Sequence, residues 1–117
     1  MLIQEKVLRG VISLLILRDL LEKPKHGYIL QKEISAELKR EMPDGAIYIL
    51  LKNLERRNLV RSESKAIVHG REIKEYEITD AGREFLAGHL EPLKIVENVI
   101  RSLIQEIEGM KLQKTFP

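Results

Sequence analysis

Apolar residues recur along this chain with different periods, and each period predicts a different element. From Val7 to Leu21 the positions Val7, Leu8, Val11, Ile12, Leu14, Leu15, Ile16, Leu17, Leu20 and Leu21 are apolar nearly all round a helix. That pattern predicts a helix from about Ile3 to Leu21, buried on more than one side. Lys23-Pro24-Lys25 ends it, because proline disfavours the helical state in the residue before it. A second helix is expected from about His26-Gly27 to Arg40, with Tyr28, Leu30, Ile34 and Leu38 as its buried stripe. Met42-Pro43 breaks the chain, and Asp44 is placed to cap a third helix. That helix has two faces. At about 100° per residue, Ile47, Leu50, Leu51 and Leu54 share one side. Gly45, Ile49, Lys52 and Arg56 share the other, with Tyr48 on one flank and Asn53 on the other. Asn58, which tolerates a left-handed cap, ends it.

Beyond Leu59 the period changes. Val60 to Ile67 and Glu72 to Ile78 read as two strands around a His69-Gly70 turn, where glycine supplies positive φ. Thr79-Asp80 starts a final helical segment. Leu93, Val96, Ile100, Leu103 and Ile107 follow one another at alternating steps of three and four, the seam of a helix that pairs with another helix. Glu91-Pro92 predicts a kink or a fresh helix start there, and Gly109 predicts the end. The expected fold is mainly α with a small β-hairpin, in the element order of a winged-helix DNA-binding unit. Residues 1–80 form the winged unit, 81–110 the dimerisation helix, and 111–117 a frayed tail.

Composition narrows the function. The chain has 117 residues, no cysteine and no tryptophan. Thiol catalysis, disulfides and cysteine-bound zinc are excluded, and a cytoplasmic protein is expected. The longest apolar run is broken by Arg9, Ser13, Arg18 and Asp19, so no membrane span is expected. Net charge is only +2, so its distribution matters more than its sum. Lys25, Lys52, Arg56, Arg57, Arg61, Lys65, Arg71 and Lys74 crowd the middle, while Glu84, Glu91, Glu97, Glu106 and Glu108 weigh on the C-terminal part. His26, His69 and His89 are scattered and lack metal-site spacing. No cofactor, no metal and no enzymatic activity are expected.

Four blocks carry a family resemblance. They are Gly10 to Leu21, Lys25-His26-Gly27-Tyr28-Ile29-Leu30, Gly45 to Glu55 running into Asn58-Leu59-Val60, and Tyr76-Glu77-Ile78-Thr79-Asp80-Ala81-Gly82-Arg83. In order and spacing they resemble the PadR family of bacterial and archaeal transcription regulators, and the single short C-terminal helix resembles its short subgroup. The resemblance implies a winged helix-turn-helix with an extra N-terminal helix and a C-terminal dimerisation helix, and a homodimer that binds a palindromic operator in double-stranded DNA, often as a repressor. The chain departs from the family at Ile29, Ala46 and Ile49, and in an acidic wing. These departures make the DNA-facing side more apolar.

The candidate DNA-binding residues are Lys25, His26, Gly27, Tyr28, Tyr48, Ile49, Lys52, Asn53, Arg56, Arg71 and Lys74. Lys52 and Arg56 suit phosphates or guanine edges, Asn53 an adenine edge, and Ile49 a thymine methyl. His26-Gly27-Tyr28 opens a helix, where backbone amides favour a phosphate. The bland alternatives are a solvated face for the third helix, purely structural packing for the Tyr48 ring, close helix packing at Gly27, a core role for Tyr28, and a solvated wing for Arg71 and Lys74. Leu8, Ile12, Leu93, Val96, Ile100, Leu103 and Ile107 are the candidate dimerisation residues; the alternative for the seam is a cover over the chain's own first helix, and its even heptad spacing with the all-round apolarity of that helix favours the dimer. A small apolar effector fits the apolar surplus between the first helix and the C-terminal helix. The competing function is a winged-helix protein-interaction module, with Ile29 and Ile49 on its partner surface.

Overall fold

In the computed structural model, residues 3–43 and 45–113 are described. Helix α1 (Ile3–Asp19) is followed by a two-residue strand β1 (Lys25–His26) and by α2 (Gly27–Leu38) and α3 (Ala46–Arg56). Strands β2 (Val60–Val68) and β3 (Arg71–Ile78) form the wing, and α4 (Asp80–Ala87) and α5 (Leu90–Gln113) complete the chain. The chain divides into two units, Met1–Leu86 and Ala87–Pro117. By this division α4 falls almost wholly within the first unit.

The first unit folds around the stripes the helices supply. Ile12, Ile16, Leu17 and Leu20 from the α1 region, Leu30 and Ile34 from α2, and Ile47, Leu51 and Leu54 from α3 are all buried. Each fully buried aliphatic side chain of this kind contributes roughly 1.5–3 kcal/mol. Leu59, Val60, Tyr76 and Ile78 close the core from the sheet side. Tyr28 is not part of it. It stands 62% exposed, because two residues along a helix turn it about 200° away from Leu30. The buried stripe of α2 begins instead at Gly27.

The sheet has three antiparallel strands in the order β1-β3-β2. Val60 pairs with Ile78 and Val68 with Arg71, and the register shifts between Ser64 and Ala66, which leaves Lys65 as an inserted residue. His69 and Gly70 both have positive φ, 51° and 74°, the geometry of a tight two-residue hairpin turn. Strand β1 is an addition to the expected hairpin. Lys25 pairs with Tyr76 and His26 with Glu75.

The connections follow local chemistry. Asn58 takes the left-handed conformation after α3, with φ 61°. Gly45 occupies the cap position of α3 with φ 84° and no side-chain cap; Asp44, expected in that role, lies outside the described residues. Thr79 caps α4: its Oγ1 accepts a 3.0 Å bond from the Gly82 amide and donates a 2.7 Å bond to the Asn58 carbonyl. A side chain at Gly82 would collide with the Leu59 carbonyl, so α4 lies directly against the start of β2.

In the second unit, α5 begins at Leu90, ahead of Pro92. Proline therefore sits in the first helical turn, where its missing amide costs nothing. The Leu93 amide bonds the His89 carbonyl at 2.9 Å. Gly109 does not end the helix as expected; α5 continues through it to Gln113.

Candidate nucleic-acid interface

Helix α3 is held by its inner face and offers its outer one. Ile47, Leu51 and Leu54 are fully buried, and Leu50 packs against them. On the other side Ile49 is 62% and Tyr48 45% exposed, and Lys52, Asn53 and Arg56 are exposed as well. Among the described residues, no acid lies within ion-pair distance of Lys52 or Arg56. Arg57, one residue on, is engaged otherwise: its guanidinium lies 4.8 Å from the Phe85 ring centre. The Ser62 hydroxyl donates to Glu55 at 2.6 Å, tying the end of α3 to the wing.

The wing's cations are in different circumstances. Arg61 bonds Glu77 at 2.9 Å, Lys65 lies 3.4 Å from Glu63 and 3.7 Å from Glu75, and Lys74 lies 3.6 Å from Glu72. The Arg61 hydrogen bond holds the Glu77 carboxyl below its ordinary range. Of the wing residues proposed from sequence, Lys74 is thus neutralised locally. Arg71, next to the turn, has no ion-pair partner among the described residues. Ile67 and Val68 stand exposed beside it; the sequence pattern assigned them no role.

The Lys25-His26-Gly27-Tyr28 block is pulled apart in function. Lys25 is 8% exposed and its ammonium lies 2.9 Å from Glu33; this hydrogen bond raises its pKa. It is a buried clamp between β1 and α2, not a free cation facing solvent. His26 Nδ1 lies 3.3 Å from the Lys74 carbonyl oxygen, so it donates there. Gly27 is buried under the Tyr48 ring, which favours the packing role over a direct phosphate contact. Tyr28 faces solvent with the Lys32 ammonium 5.4 Å from its ring centre. All three tyrosines of the chain, Tyr28, Tyr48 and Tyr76, line one notch together with His26 and Lys74.

The candidate dimerisation residues divide in the same way. Ile12 is buried in the core of its own chain and Leu8 packs against that core; Val11 and Leu21 stand exposed nearby. Leu93, Val96, Ile100, Leu103 and Ile107 are all exposed along α5, and Leu90, Ile95, Val99, Ile104 and Met110 add to the apolar surface. An apolar hollow of about 90 Å³ lies behind Ile49, lined by Leu8, Ile12, Leu38, Met42 and Leu50 with Arg9, Arg40 and Glu41 also on its wall. Among the described residues, no group of three or more acidic, histidine or cysteine side chains is arranged to hold a metal ion. Nor, among them, is any helix long and apolar enough to cross a membrane.

Comparison with known proteins gives a consistent picture. Residues 16–88 match the family described as transcriptional regulator PadR-like. The fold is similar to the crystal structure of a candidate transcriptional regulator from Thermoplasma acidophilum, with a TM-score of 0.79 and 40% identity over 86% of this chain and 95% of that one. A PadR-like transcriptional regulator from Bacillus cereus has a TM-score of 0.69 and 28% identity, covering 86% of this chain and 97% of its own. A PadR family transcription regulator from Clostridium difficile has a TM-score of 0.63 and 26% identity, covering 80% and 97%.

Proposed function

This chain belongs to the transcriptional regulator PadR-like family, and from that membership we propose that it is a cytoplasmic, homodimeric repressor that reads a palindromic operator with α3. Regulators of this family bind DNA and are not enzymes. One observation carries the assignment of α3: its outward face presents Lys52, Asn53 and Arg56 exposed, and no acid among the described residues pairs with either cation. A cation already paired exchanges one carboxylate for a phosphate at little gain. An unpaired one gains the full release of counterions from DNA.

In this reading Lys52 and Arg56 meet phosphates or guanine edges, Asn53 meets an adenine edge or a phosphate, and Ile49 packs on thymine methyl groups in the major groove. Arg71 supplies the wing's contact. The apolar surface of α5 supports a helix-paired dimer, since exposed apolar area of that extent marks an interaction surface. Two α3 helices on one duplex face would then lie roughly 34 Å apart for half-sites one turn apart. A small apolar effector would find an apolar lining beside α1 in the hollow behind Ile49, a different place from the one expected against the C-terminal helix.

Selection of bound duplexes from a random pool tests this directly. Enrichment of a palindrome supports a dimer on an operator, and enrichment of nothing overturns sequence-specific binding. A second reading, a protein-interaction module, is favoured by exposed Ile29 and Ile49 and by the self-paired wing. Heparin chromatography separates the two: a protein-binding module elutes early and with little salt dependence.

A further inference from the structure

We infer that Gly27 is a positioning residue: its missing side chain is the seat on which the Tyr48 ring of the recognition helix rests. The inference deepens the proposed reading of α3 and depends on it for its functional consequence.

A Cβ on Gly27 would lie 2.5 Å from Tyr48 Cε1, 3.0 Å from Cζ and 3.2 Å from the hydroxyl oxygen. No side chain tolerates the first of these, so any residue larger than glycine must push the ring away. Backbone conformation does not ask for glycine here, because Gly27 lacks the positive φ of Gly45 and Gly70 and begins a regular α-helix. By propensity alanine would serve α2 better. What glycine supplies at this point is close approach.

The contact matters because of what flanks it. His26 pairs with Glu75 and Lys25 with Tyr76 across β1 and β3, and His26 Nδ1 reaches the Lys74 carbonyl. The residues just before Gly27 are therefore laced to the wing, while Gly27 itself receives α3 through Tyr48. This short stretch sets the spacing between the two elements that face DNA. Its contribution to binding is positional: Lys25 is spent on Glu33, and the face of Gly27 is covered by the tyrosine ring.

The test is a cycle of full-length Gly27→Ala, Tyr48→Ala and the double variant. Each is measured for melting temperature and for affinity toward the duplex enriched by the wild type. Gly27→Ala is expected to weaken binding roughly tenfold, about the worth of one well-made polar contact, with the salt slope unchanged because no charge is lost. On the Tyr48→Ala background the same substitution should change affinity less than about twofold, since the ring it displaces is gone. There it should also raise the melting temperature rather than lower it. Equal loss of affinity on both backgrounds overturns the inference and returns Gly27 to direct DNA contact. So does no loss on the wild-type background. If Gly27→Ala alone does not fold, recovery of folding in the double variant supports the seat, and failure of both overturns it. If the wild type enriches no DNA, the functional reading fails, and the melting temperatures still decide whether Tyr48 sits on Gly27.

Discussion

Helix α3 and the wing both carry cations, yet those of α3 stand ready for an outside partner while those on the stem of the wing do not. Lys52 and Arg56 have no acidic neighbour within ion-pair distance among the described residues, whereas Arg61, Lys65 and Lys74 are each held by glutamates of the same hairpin. The difference follows from geometry. On the hairpin, Glu77 lies directly across from Arg61, while Lys65 and Lys74 meet Glu63 and Glu72 two residues away on the same face of their own strands. On α3, the residues three and four positions from Lys52 are Ile49, Tyr48, Glu55 and Arg56, and Glu55 is occupied by Ser62. A net charge of +2 therefore says little about DNA binding. Local pairing decides which cations can be used, because exposed ion pairs are individually weak but still lower the gain from a new partner.

Four outcomes would sharpen or break this contrast. The largest concerns what holds α3 in place. Leu51→Ala opens a cavity in the core and should cost about 2–5 kcal/mol of stability in a denaturant titration, removing both surfaces together. Next, Lys52→Ala combined with Arg56→Ala should weaken operator binding roughly a hundredfold in a gel-shift titration while leaving the melting temperature within about a degree or two of wild type, as surface changes usually do. Undiminished binding would remove α3 from the interface. A smaller effect of opposite sign is expected from Glu72→Gln with Glu77→Gln, which frees Lys74 and Arg61. Affinity should rise about two- to fivefold through added phosphate attraction, and an unchanged value would place the wing away from the duplex. Smallest is the pH behaviour of the wing. Because Arg61 lowers the pKa of Glu77 from its ordinary 4.5, the ion pair contributes stability above that value and loses it as pH falls through the lowered one. A carboxyl NMR titration should show a lowered midpoint for Glu77 that moves back toward the ordinary value in Arg61→Ala.

The same contrast marks what could be read in the sequence. The two faces of α3 were legible because a strong 3.6-residue period leaves one buried stripe, and Ile47, Leu51 and Leu54 fill it. The hairpin turn was legible because His69-Gly70 interrupts two polar-apolar runs. Pairing was not legible. Lys25 meets Glu33 across the corner from β1 into α2, a contact that no periodicity encodes. Strand β1 is two polar residues long, too short for alternation to show. Tyr28 reads from sequence both as a stripe residue and as a DNA contact; its angle around α2 points away from Leu30, and it stands exposed. Ile12 fits a dimer stripe and a core stripe equally well by spacing, and the structure buries it in the core. Gly109 marked a helix end by propensity, but one glycine costs only about 1 kcal/mol in a helix interior, and α5 passes through it.

The central claim is that α3, and not the stem of the wing, supplies the electrostatic contacts to DNA. It is tested most directly by the slope of log affinity against log salt for three proteins: wild type, Lys52→Ala/Arg56→Ala and Lys65→Ala/Lys74→Ala. Each lost phosphate contact lowers the magnitude of the slope by about 0.9. The α3 variant should flatten the slope by one to two such steps per subunit bound, judged at about 0.9 each, and the wing variant should leave it near the wild-type value. Equal flattening by both variants, or flattening by the wing variant alone, would contradict the account.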